Sequence, residues 1–327
     1  MVSEQVLEFD NNDLVPLLFG EHNLHLSHLE KKLDISIADR GGTLTLSGDN
    51  GEVKKAKSVL NSLWDRLKKK QDIGVAEIDA ALRFFDDKKA SPTKSKKKKN
   101  GKRSSSASGA DIIIKTQKKT IVPRSPNQAV YMKAIADHEM VFGMGPAGTG
   151  KTYLAVAMAA SMFLEGKVER LIFCRPAVEA GERIGFLPGG MQEKVDPYLR
   201  PIYDAMQDMM PWDLVAKKME SGEIEVAPLG FMRGRTLSNA FVILDEAQNT
   251  TATQMKMLLT RMGEASRMVV TGDLSQTDLP NHEKSGLRDA RDTLEHVPEI
   301  KFMNFAKEDV IRHPLVSKIV QAYDEKS

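Results

Sequence analysis

The chain has 327 residues, of which 41% are hydrophobic and 28% charged. This composition is typical of a globular protein, and the length predicts about two domains. The chain has 47 Lys and Arg residues and 45 Asp and Glu residues, so its net charge is only +2. This balance excludes a protein whose whole surface is basic and coats nucleic acid. The single cysteine excludes an intramolecular disulfide framework and a cysteine-rich zinc site.

The hydrophobic pattern predicts no membrane segment. The longest largely apolar run, residues 154–164, is far shorter than the roughly 20 residues that a bilayer-spanning helix needs. The first residues include several acids and lack the basic and apolar regions of a secretory signal. We therefore expect a cytoplasmic protein that makes no membrane contact.

Residues 1–87 carry the pattern of a small α+β domain. The periodicity predicts, in order, a strand at 6–9, a helix at 14–19 capped by Asp13, a helix at 24–33, strands at 35–37 and 44–46, and a helix at 53–67. Gly41 and Gly42 provide the turn between the two later strands. The resulting order is β-α-α-β-β-α.

This order resembles a KH-type RNA-binding domain, in which a GXXG loop between the first two helices clamps the nucleic-acid backbone. The corresponding loop here reads Gly20-Glu21-His22-Asn23. Asn tolerates the left-handed conformation of the missing second glycine, whereas the acid disfavours a phosphate clamp. The resemblance implies RNA binding by this domain, and the alternative is a small adaptor domain without nucleic-acid contact.

A basic linker follows at about residues 88–110. Between residues 88 and 103 there are nine Lys or Arg residues and no acid, and a serine-rich stretch follows. Such a segment cannot bury enough apolar surface to offset its ordering entropy, so we expect a flexible linker. Its lysines serve either as a solubilising tether or as contacts to nucleic-acid phosphates.

Residues 111–327 predict an α/β domain with a parallel sheet. Short apolar strands are expected at 140–142, 171–174, 241–244 and 268–270, with helices such as 153–164 and 251–262 between them. Strands that alternate with helices are typical of βαβ units, in which helices cover both faces of the sheet.

The first of these strands runs into a P-loop, the pattern G-x-x-x-x-G-K-T, which predicts a nucleotide site. Lys151 would contact the β- and γ-phosphates, and Thr152 would bind Mg²⁺. Backbone N–H groups of the loop and the N-terminus of the next helix would surround the phosphates. The expected ATP-binding residues of the loop are Gly145, Pro146, Ala147, Gly148, Thr149, Gly150, Lys151 and Thr152.

The strand at 241–244 ends in Asp245 and Glu246, as in a Walker B motif. Asp245 would hold Mg²⁺ through water, and Glu246 would orient or deprotonate the attacking water. The alternative is a structural capping pair. A second acid at this position favours hydrolysis over phosphoryl transfer, so a metabolite kinase is the less favoured enzyme class.

Two further motifs are typical of superfamily 1 helicases. The sequence from Gly272 to Gln276 resembles motif III, in which the glutamine senses the γ-phosphate; the alternative is a polar loop at a strand end. Gln128, upstream of the P-loop, resembles the Q-motif glutamine, whose amide suits the adenine edge. Its alternative is a polar residue at a helix start, and it is the feature that favours ATP over other nucleotides.

Several segments together resemble the bacterial PhoH family, in its longer PhoH-like form with a KH-like N-terminal domain. They are residues 175–182, 185–189, 197–201 and 231–237. The resemblance implies a RecA-like P-loop ATPase core related to superfamily 1 helicases, a role on RNA, and a protein partner in RNA maturation.

Four arginines have open roles. Arg175 follows the second strand and either meets nucleic acid or holds the loop at 176–190. Arg233 and Arg235 either bind phosphate or pair with acids. Arg312 is the first candidate for an arginine finger, with a helix-end ion pair as its alternative, and Arg233 or Arg235 is the second.

One P-loop and one Walker B strand make a single RecA-like unit. The opposite wall of the ATP cleft would then come from another copy, so we expect a homo-oligomeric ring, most simply a hexamer. The expected function is ATP-driven remodelling of single-stranded RNA, with catalytic roles for Lys151, Glu246, Gln276 and Arg312. The alternative is an ATP-dependent switch or adaptor that does not unwind RNA.

Overall fold

The computed structural model describes residues 2–90, 112–176, 191–280, 283–311, 315–316, 319 and 322–323. Two compact units are present: Met1–Ser108 with Pro123–Pro126, and Gly109–Val122 with Asn127–Ser327. Most of the predicted linker lies outside the described residues. Among the described helices, none has the length and apolar content that a membrane crossing requires.

The N-terminal unit packs helices against a three-stranded antiparallel sheet of order β1-β3-β2. Its elements are β1 (Val2–Glu8), α1 (Val15–Phe19), α2 (Leu24–Leu33), β2 (Ser36–Arg40), β3 (Thr43–Asp49), α3 (Asn50–Lys68) and α4 (Val75–Ala90). The predicted order β-α-α-β-β-α is present. The likeness to a KH-type domain stays a prediction.

Two details of this unit differ from the sequence prediction. Asp13 does not cap α1: the N-cap residue is Leu14, without a side-chain cap bond, and a proline stands in the first helical positions. Because proline presets the helical φ and lacks one of the N–H groups that a cap would satisfy, α1 begins without a cap. Helix α4 was not predicted, although Ile78, Ala81 and Leu82 are buried at helical spacing.

Residues 21–23 form a short 3₁₀ turn after Gly20, and three residues of the loop Gly20–Asn23 have positive φ values. Gly20, His22 and Asn23 have φ values of 75°, 52° and 59°. A side chain at Gly20 would overlap the ring of His25, whose Nδ1 is 3.1 Å from the carbonyl oxygen of Leu18. Asn23 thus takes the conformation expected where a KH loop has its second glycine.

The C-terminal unit contains a six-stranded parallel sheet of order β11-β6-β10-β9-β7-β8. The strands are β6 (Met140–Met144), β7 (Arg170–Arg175), β8 (Ile224–Pro228), β9 (Ala240–Leu244), β10 (Arg267–Gly272) and β11 (Ile300–Asn304), and a small hairpin pairs β4 (Ile114–Lys115) with β5 (Thr120–Ile121). All four predicted strands are present, and the expected α/β fold is confirmed.

Helices cover both faces of this sheet. They are α5 (Pro126–Asp137), α6 (Lys151–Leu164), α7 (Met191–Met209), α8 (Trp212–Glu220), α9 (Ala252–Leu259) and α10 (Gly286–Leu294). Alternate strand residues enter the two cores: Phe173 and Ile243 join the core that includes α6 and α7, while Ile172 and Leu244 join the core that includes α9 and α10. Since all strands run parallel, the carboxyl ends of β6, β9, β10 and β7 lie at one edge.

Strand β10 lies between the P-loop strand β6 and the acid-bearing strand β9. The resemblance to the PhoH family implies a RecA-like core; in this sheet one strand separates the P-loop strand from the acid-bearing strand. The edge strands β8 and β11 were not predicted, because their alternating apolar pattern is short and interrupted by charged residues such as Glu225 and Lys301. Helix α9 begins with a capping box between Thr251 and Gln254.

Candidate functional site

The P-loop connects β6 to α6 through glycines in conformations that side chains rarely adopt. Gly145, Gly148 and Gly150 have φ values of 138°, 83° and 83°. A Cβ at Gly145 would overlap the backbone oxygen of Phe305, so this position needs glycine for space as well as for conformation. The loop leads directly into the N-terminus of α6, where the N–H groups of the first turn and the helix dipole favour an anion.

The ammonium of Lys151 lies within the curl of this loop. It donates hydrogen bonds to the carbonyl oxygens of Gly145 at 2.6 Å and Pro146 at 2.8 Å. It also lies 3.4 Å from the hydroxyl of Thr149. The positive charge is therefore fixed beside the backbone groups that the motif predicts to surround phosphate.

Asp245 lies at the end of β9 and joins three neighbouring elements. Its Oδ1 accepts hydrogen bonds from the hydroxyls of Thr152 at 2.6 Å and Thr271 at 2.7 Å. Its Oδ2 accepts from Nε and Nη2 of Arg175 at 2.9 Å and 2.5 Å. The sequence analysis did not identify Thr271. It could have been found as the hydroxyl residue that ends the apolar run of β10.

Glu246 follows in a left-handed conformation, with φ 55° and ψ 38°, and its side chain is 47% exposed. Oε2 accepts a hydrogen bond from Nε2 of Gln248 at 2.6 Å, and Nη2 of Arg175 is 3.4 Å from Oε1. Non-glycine residues seldom adopt this backbone conformation, and such strain is common at functional sites. The carboxylate is held on both oxygens yet remains open to solvent.

Gln248 was also missed, and it links the acids to the turn that carries Gln276. Its Nε2 donates to the carbonyl oxygen of Gln276 at 3.2 Å, and its Oε1 accepts from the backbone N–H of Asp273 at 3.0 Å. Nε2 of Gln276 donates to Oδ2 of Asp273 at 2.9 Å. Gln248 could have been identified from the sequence because it is a polar residue two positions after Glu246.

These elements enclose a cavity of about 250 Å³ that brings most of the predicted residues together. It is lined by Ala147, Gly148, Gly150, Lys151, Thr152, Tyr153, Asp245, Glu246, Gly272, Asp273 and Gln276. The P-loop thus faces both acids and the glutamine of the third motif across one space.

Tyr153 is an aromatic lining residue that sequence reasoning missed. Its hydroxyl donates to Oδ2 of Asp208 at 3.0 Å, and the Lys119 ammonium lies 5.9 Å from its ring centre. Burial raises the pKa of the Tyr153 phenol, so it stays protonated at neutral pH. Its position directly after Thr152 of the P-loop is the sequence feature that could have identified Tyr153 as a lining residue.

Gln128 lies behind the P-loop and is buried. Its Nε2 donates to the carbonyl oxygen of Thr149 at 2.9 Å. Nδ2 of the neighbouring Asn127 donates to Oδ2 of Asp309 at 2.7 Å, and the backbone N–H of Ile311 donates to the carbonyl oxygen of Gly148 at 2.9 Å. In this structure the amide expected at adenine supports the P-loop, through its hydrogen bond to the backbone of Thr149.

Of the predicted arginines, Arg175 lies at the acids, whereas Arg233 and Arg235 lie away from the cavity. Arg235 donates two hydrogen bonds of 2.6 Å to Glu225, and these bonds hold the pKa of that carboxyl below its usual range. Of the two roles open to Arg235, phosphate binding and pairing with an acid, the structure shows pairing. Arg233 is exposed, and neither arginine is among the described residues that line the cavity. Arg312 lies outside the described residues.

Residues 120–324 match the family described as PhoH-like protein. A PhoH-like protein of Bacillus subtilis (strain 168) is 44% identical over 317 residues, which cover 97% of this chain and 96% of the relative. The chain belongs to the PhoH family. Protein PhoH of Escherichia coli (strain K12) is 43% identical over 205 residues, 62% of this chain and 58% of that protein. All residues that line the cavity lie within the stretch that matches the PhoH family.

Two solved structures match the chain at low similarity. One is the Pif1 helicase from Candida albicans, at 12% identity and a TM-score of 0.33, covering 60% of this PhoH chain and 42% of that chain. The other is a SWI2/SNF2 ATPase core from Sulfolobus solfataricus in complex with dsDNA, at 12% identity and a TM-score of 0.33, covering 62% and 52%. Similarity at this level indicates nothing about what the chain binds.

The close approach of Phe305 to the P-loop predicts a specific effect of Gly145→Ala. The new methyl group would displace the Phe305 backbone and shift the loop, so we expect a lower midpoint of thermal unfolding and weaker nucleotide binding. The matched control is Gly166→Ala, at φ 69° with no atom within 4 Å of an added Cβ. It should lower stability by about 1–2 kcal/mol through backbone strain alone and leave nucleotide binding unchanged. Equal effects of the two substitutions would contradict the steric account.

Proposed function

We propose that this PhoH protein binds ATP with Mg²⁺ in the cavity, hydrolyses the ATP, and uses it to remodel single-stranded RNA. The observation that carries the chemistry is the single space shared by the P-loop, Asp245, Glu246 and Gln276. A phosphate chain bound by the loop would direct its terminal phosphate toward the acids.

The phosphates are held by the backbone N–H groups of the P-loop and the N-terminus of α6. Lys151 adds a positive charge that can exchange its carbonyl partners, Gly145 and Pro146, for phosphate oxygens. ATP is the nucleotide we assign, because the amide of Gln128 is the type of group that pairs with adenine.

The site offers oxygen donors of the kind that Mg²⁺ prefers. The Thr152 hydroxyl donates its proton to Asp245, so its oxygen lone pairs remain for a cation. Across the described part of the chain, no cluster of three or more His, Cys, Asp or Glu side chains forms a metal site. Thr152 and Asp245 would therefore hold Mg²⁺ together with the nucleotide phosphates, and the ion would neutralise their charge.

Glu246 would accept a proton from the attacking water. In this step the water oxygen bonds to the γ-phosphorus, the bond from that phosphorus to the ADP oxygen breaks, and Glu246 takes the water proton. Gln248 holds Oε2, which orients the carboxylate while its exposed side stays reachable by water. Gln276, on the same cavity, would sense the γ-phosphate.

The role on RNA is supported by the N-terminal unit and the linker. The β-α-α-β-β-α order and the left-handed loop from Gly20 to Asn23 fit a KH-like domain. The lysine run at 94–99 would add contacts to phosphates. Turnover that rises with single-stranded RNA supports remodelling, whereas RNA binding without stimulation supports the switch or adaptor.

Substitutions at the two ends of the cavity test the chemistry. Lys151→Ala should weaken ATP binding, because the phosphate contact is lost. Glu246→Gln should retain ATP binding and slow hydrolysis by at least about 10²-fold, because only proton acceptance is removed. Fluorescent-nucleotide titration and phosphate release measure the two effects, and GTP in the same assays tests the choice of ATP. The control is Glu299→Gln, an exposed acid near β11. Wild-type turnover in Glu246→Gln would remove Glu246 from the mechanism.

The linker proposal predicts a change in salt dependence. Replacing Lys96, Lys97 and Lys98 by Gln should lower the slope of log RNA affinity against log salt by about 2, at roughly 0.7 per lost phosphate contact. The matched control replaces three exposed lysines of the C-terminal unit, Lys217, Lys256 and Lys301, which changes the net charge equally. Identical slopes for the two variants would show that the linker does not contact phosphate.

A ring is proposed because the chain supplies one P-loop and one pair of Walker B acids. A neighbouring copy would then close the cleft and contribute Arg312 as the first candidate finger. Arg233 and Arg235 are the second candidates, and of these Arg235 is paired with Glu225. Mixing the inactive variants Lys151→Ala and Arg312→Ala should restore part of the turnover, since some interfaces then pair an intact loop with an intact arginine. No recovery, together with a monomeric mass in Mg–ATP, would exclude the ring.

A further inference from the structure

The carboxylate of Asp245 is saturated with hydrogen bonds. A carboxylate offers about four lone-pair positions. Among the described residues, two hydroxyls donate to Oδ1 and two N–H groups of Arg175 donate to Oδ2. A further donor, such as a water of hydrated Mg²⁺, can bond to Asp245 only if one of these four is given up.

The four donors differ in how readily they can be exchanged. Thr271 is fully buried, and Thr152 can keep its bond to Asp245 while its lone pairs face a cation. Arg175 is 15% exposed at the end of β7, and it supplies both described donors to Oδ2. Because it is partly exposed to solvent, the guanidinium of Arg175 is the donor that can most readily break its hydrogen bonds to Asp245.

Charge points to the same residue. The hydroxyls of Thr152 and Thr271 are neutral, but the guanidinium carries a positive charge that a divalent cation would repel at short range. Arg175 also lies 3.4 Å from Oε1 of Glu246, so one cation is shared by both acids. Its departure would release Oε1 of Glu246, while Gln248 still holds Oε2.

We propose that Arg175 is a displaceable counter-ion of Asp245 and Glu246: it gives up Oδ2 of Asp245 when hydrated Mg²⁺ enters, and so sets the metal concentration at which the site loads. Arg175 is thus a positioning residue that acts through the two acids. The inference rests on the proposed function, because it requires a nucleotide and a divalent cation in this cavity.

The test measures metal binding directly. Mn²⁺, which shares the oxygen preference of Mg²⁺, is titrated into protein saturated with ADP, and free Mn²⁺ is read by electron paramagnetic resonance. In Arg175→Gln the half-saturating Mn²⁺ concentration should fall about tenfold, because a charge-assisted hydrogen bond no longer has to be broken. Arg175→Lys, which keeps the positive charge, should stay closer to wild type.

The matched control is Arg170→Gln at the opposite end of β7. Arg170 lies 3.5 Å from Glu225 and not at the acids, so this substitution should leave the half-saturating concentration unchanged. An unchanged value in Arg175→Gln would overturn the proposal and leave Arg175 a structural ion pair. A higher value, or weaker ADP binding in EDTA, would overturn it in favour of a phosphate contact by Arg175.

A measurement on the wild-type protein covers the case in which Arg175→Gln does not fold, since Asp245 would lose a buried partner. In a sample labelled with ¹⁵N-arginine, the Nε–H signal missing from Arg175→Lys belongs to Arg175. Adding Mg²⁺ to the ADP complex should shift this signal and speed its exchange with water, and an unaltered signal would overturn the proposal. If wild type binds no ADP at all, the proposed function itself fails; if ADP and Mn²⁺ bind but Arg175 has no effect, only this inference fails.

Discussion

A buried carboxylate connects the elements of the nucleotide site. The Asp245 side chain is only 4% exposed, and burying an unpaired charge to this degree would cost several kcal/mol. The cost is offset because Asp245 accepts from Thr152 on α6, Thr271 on β10 and Arg175 on β7. These donors are charge-assisted, so each contributes more than a neutral pair. The geometry of the P-loop helix relative to three strands is therefore fixed through one side chain.

Parallel pairing makes this convergence possible. Strands β6, β10, β9 and β7 end at the same edge, so residues far apart in sequence meet there without a long loop. The P-loop adds a steric condition: the chain after β6 passes so close to Phe305 that only glycine fits at Gly145. The segment that follows β11 therefore contributes to the shape of the P-loop.

The sequence was sufficient for most features that depend on neighbours in the chain. The P-loop, the acids of β9 and the buried strands are local patterns, and the structure brings Lys151, Glu246 and Gln276 to one cavity. Features that depend on distant partners were missed or left open. Thr271 and Arg175 reach Asp245 because β10 and β7 lie on either side of β9, which the sequence does not reveal. The edge strand β8 is likewise defined by its pairing with β7. The expected cap at Asp13 failed for a local reason, the proline within the first turn of α1.

The hydrogen-bond donors of Asp245 also differ in whether they would keep their bond to the carboxylate when the metal enters in the proposed cycle. A neutral hydroxyl can donate to the carboxylate and still offer lone pairs to a cation, so Thr152 has no reason to leave when the metal enters. A guanidinium has no lone pair to offer and carries the same sign of charge, so its bond to Oδ2 is lost first. Two hydroxyls on one oxygen and one arginine on the other thus divide the carboxylate into a permanent and an exchangeable half. Because the same arginine reaches Glu246, exchange at the metal carboxylate also changes the contacts of the acid that would receive the water proton.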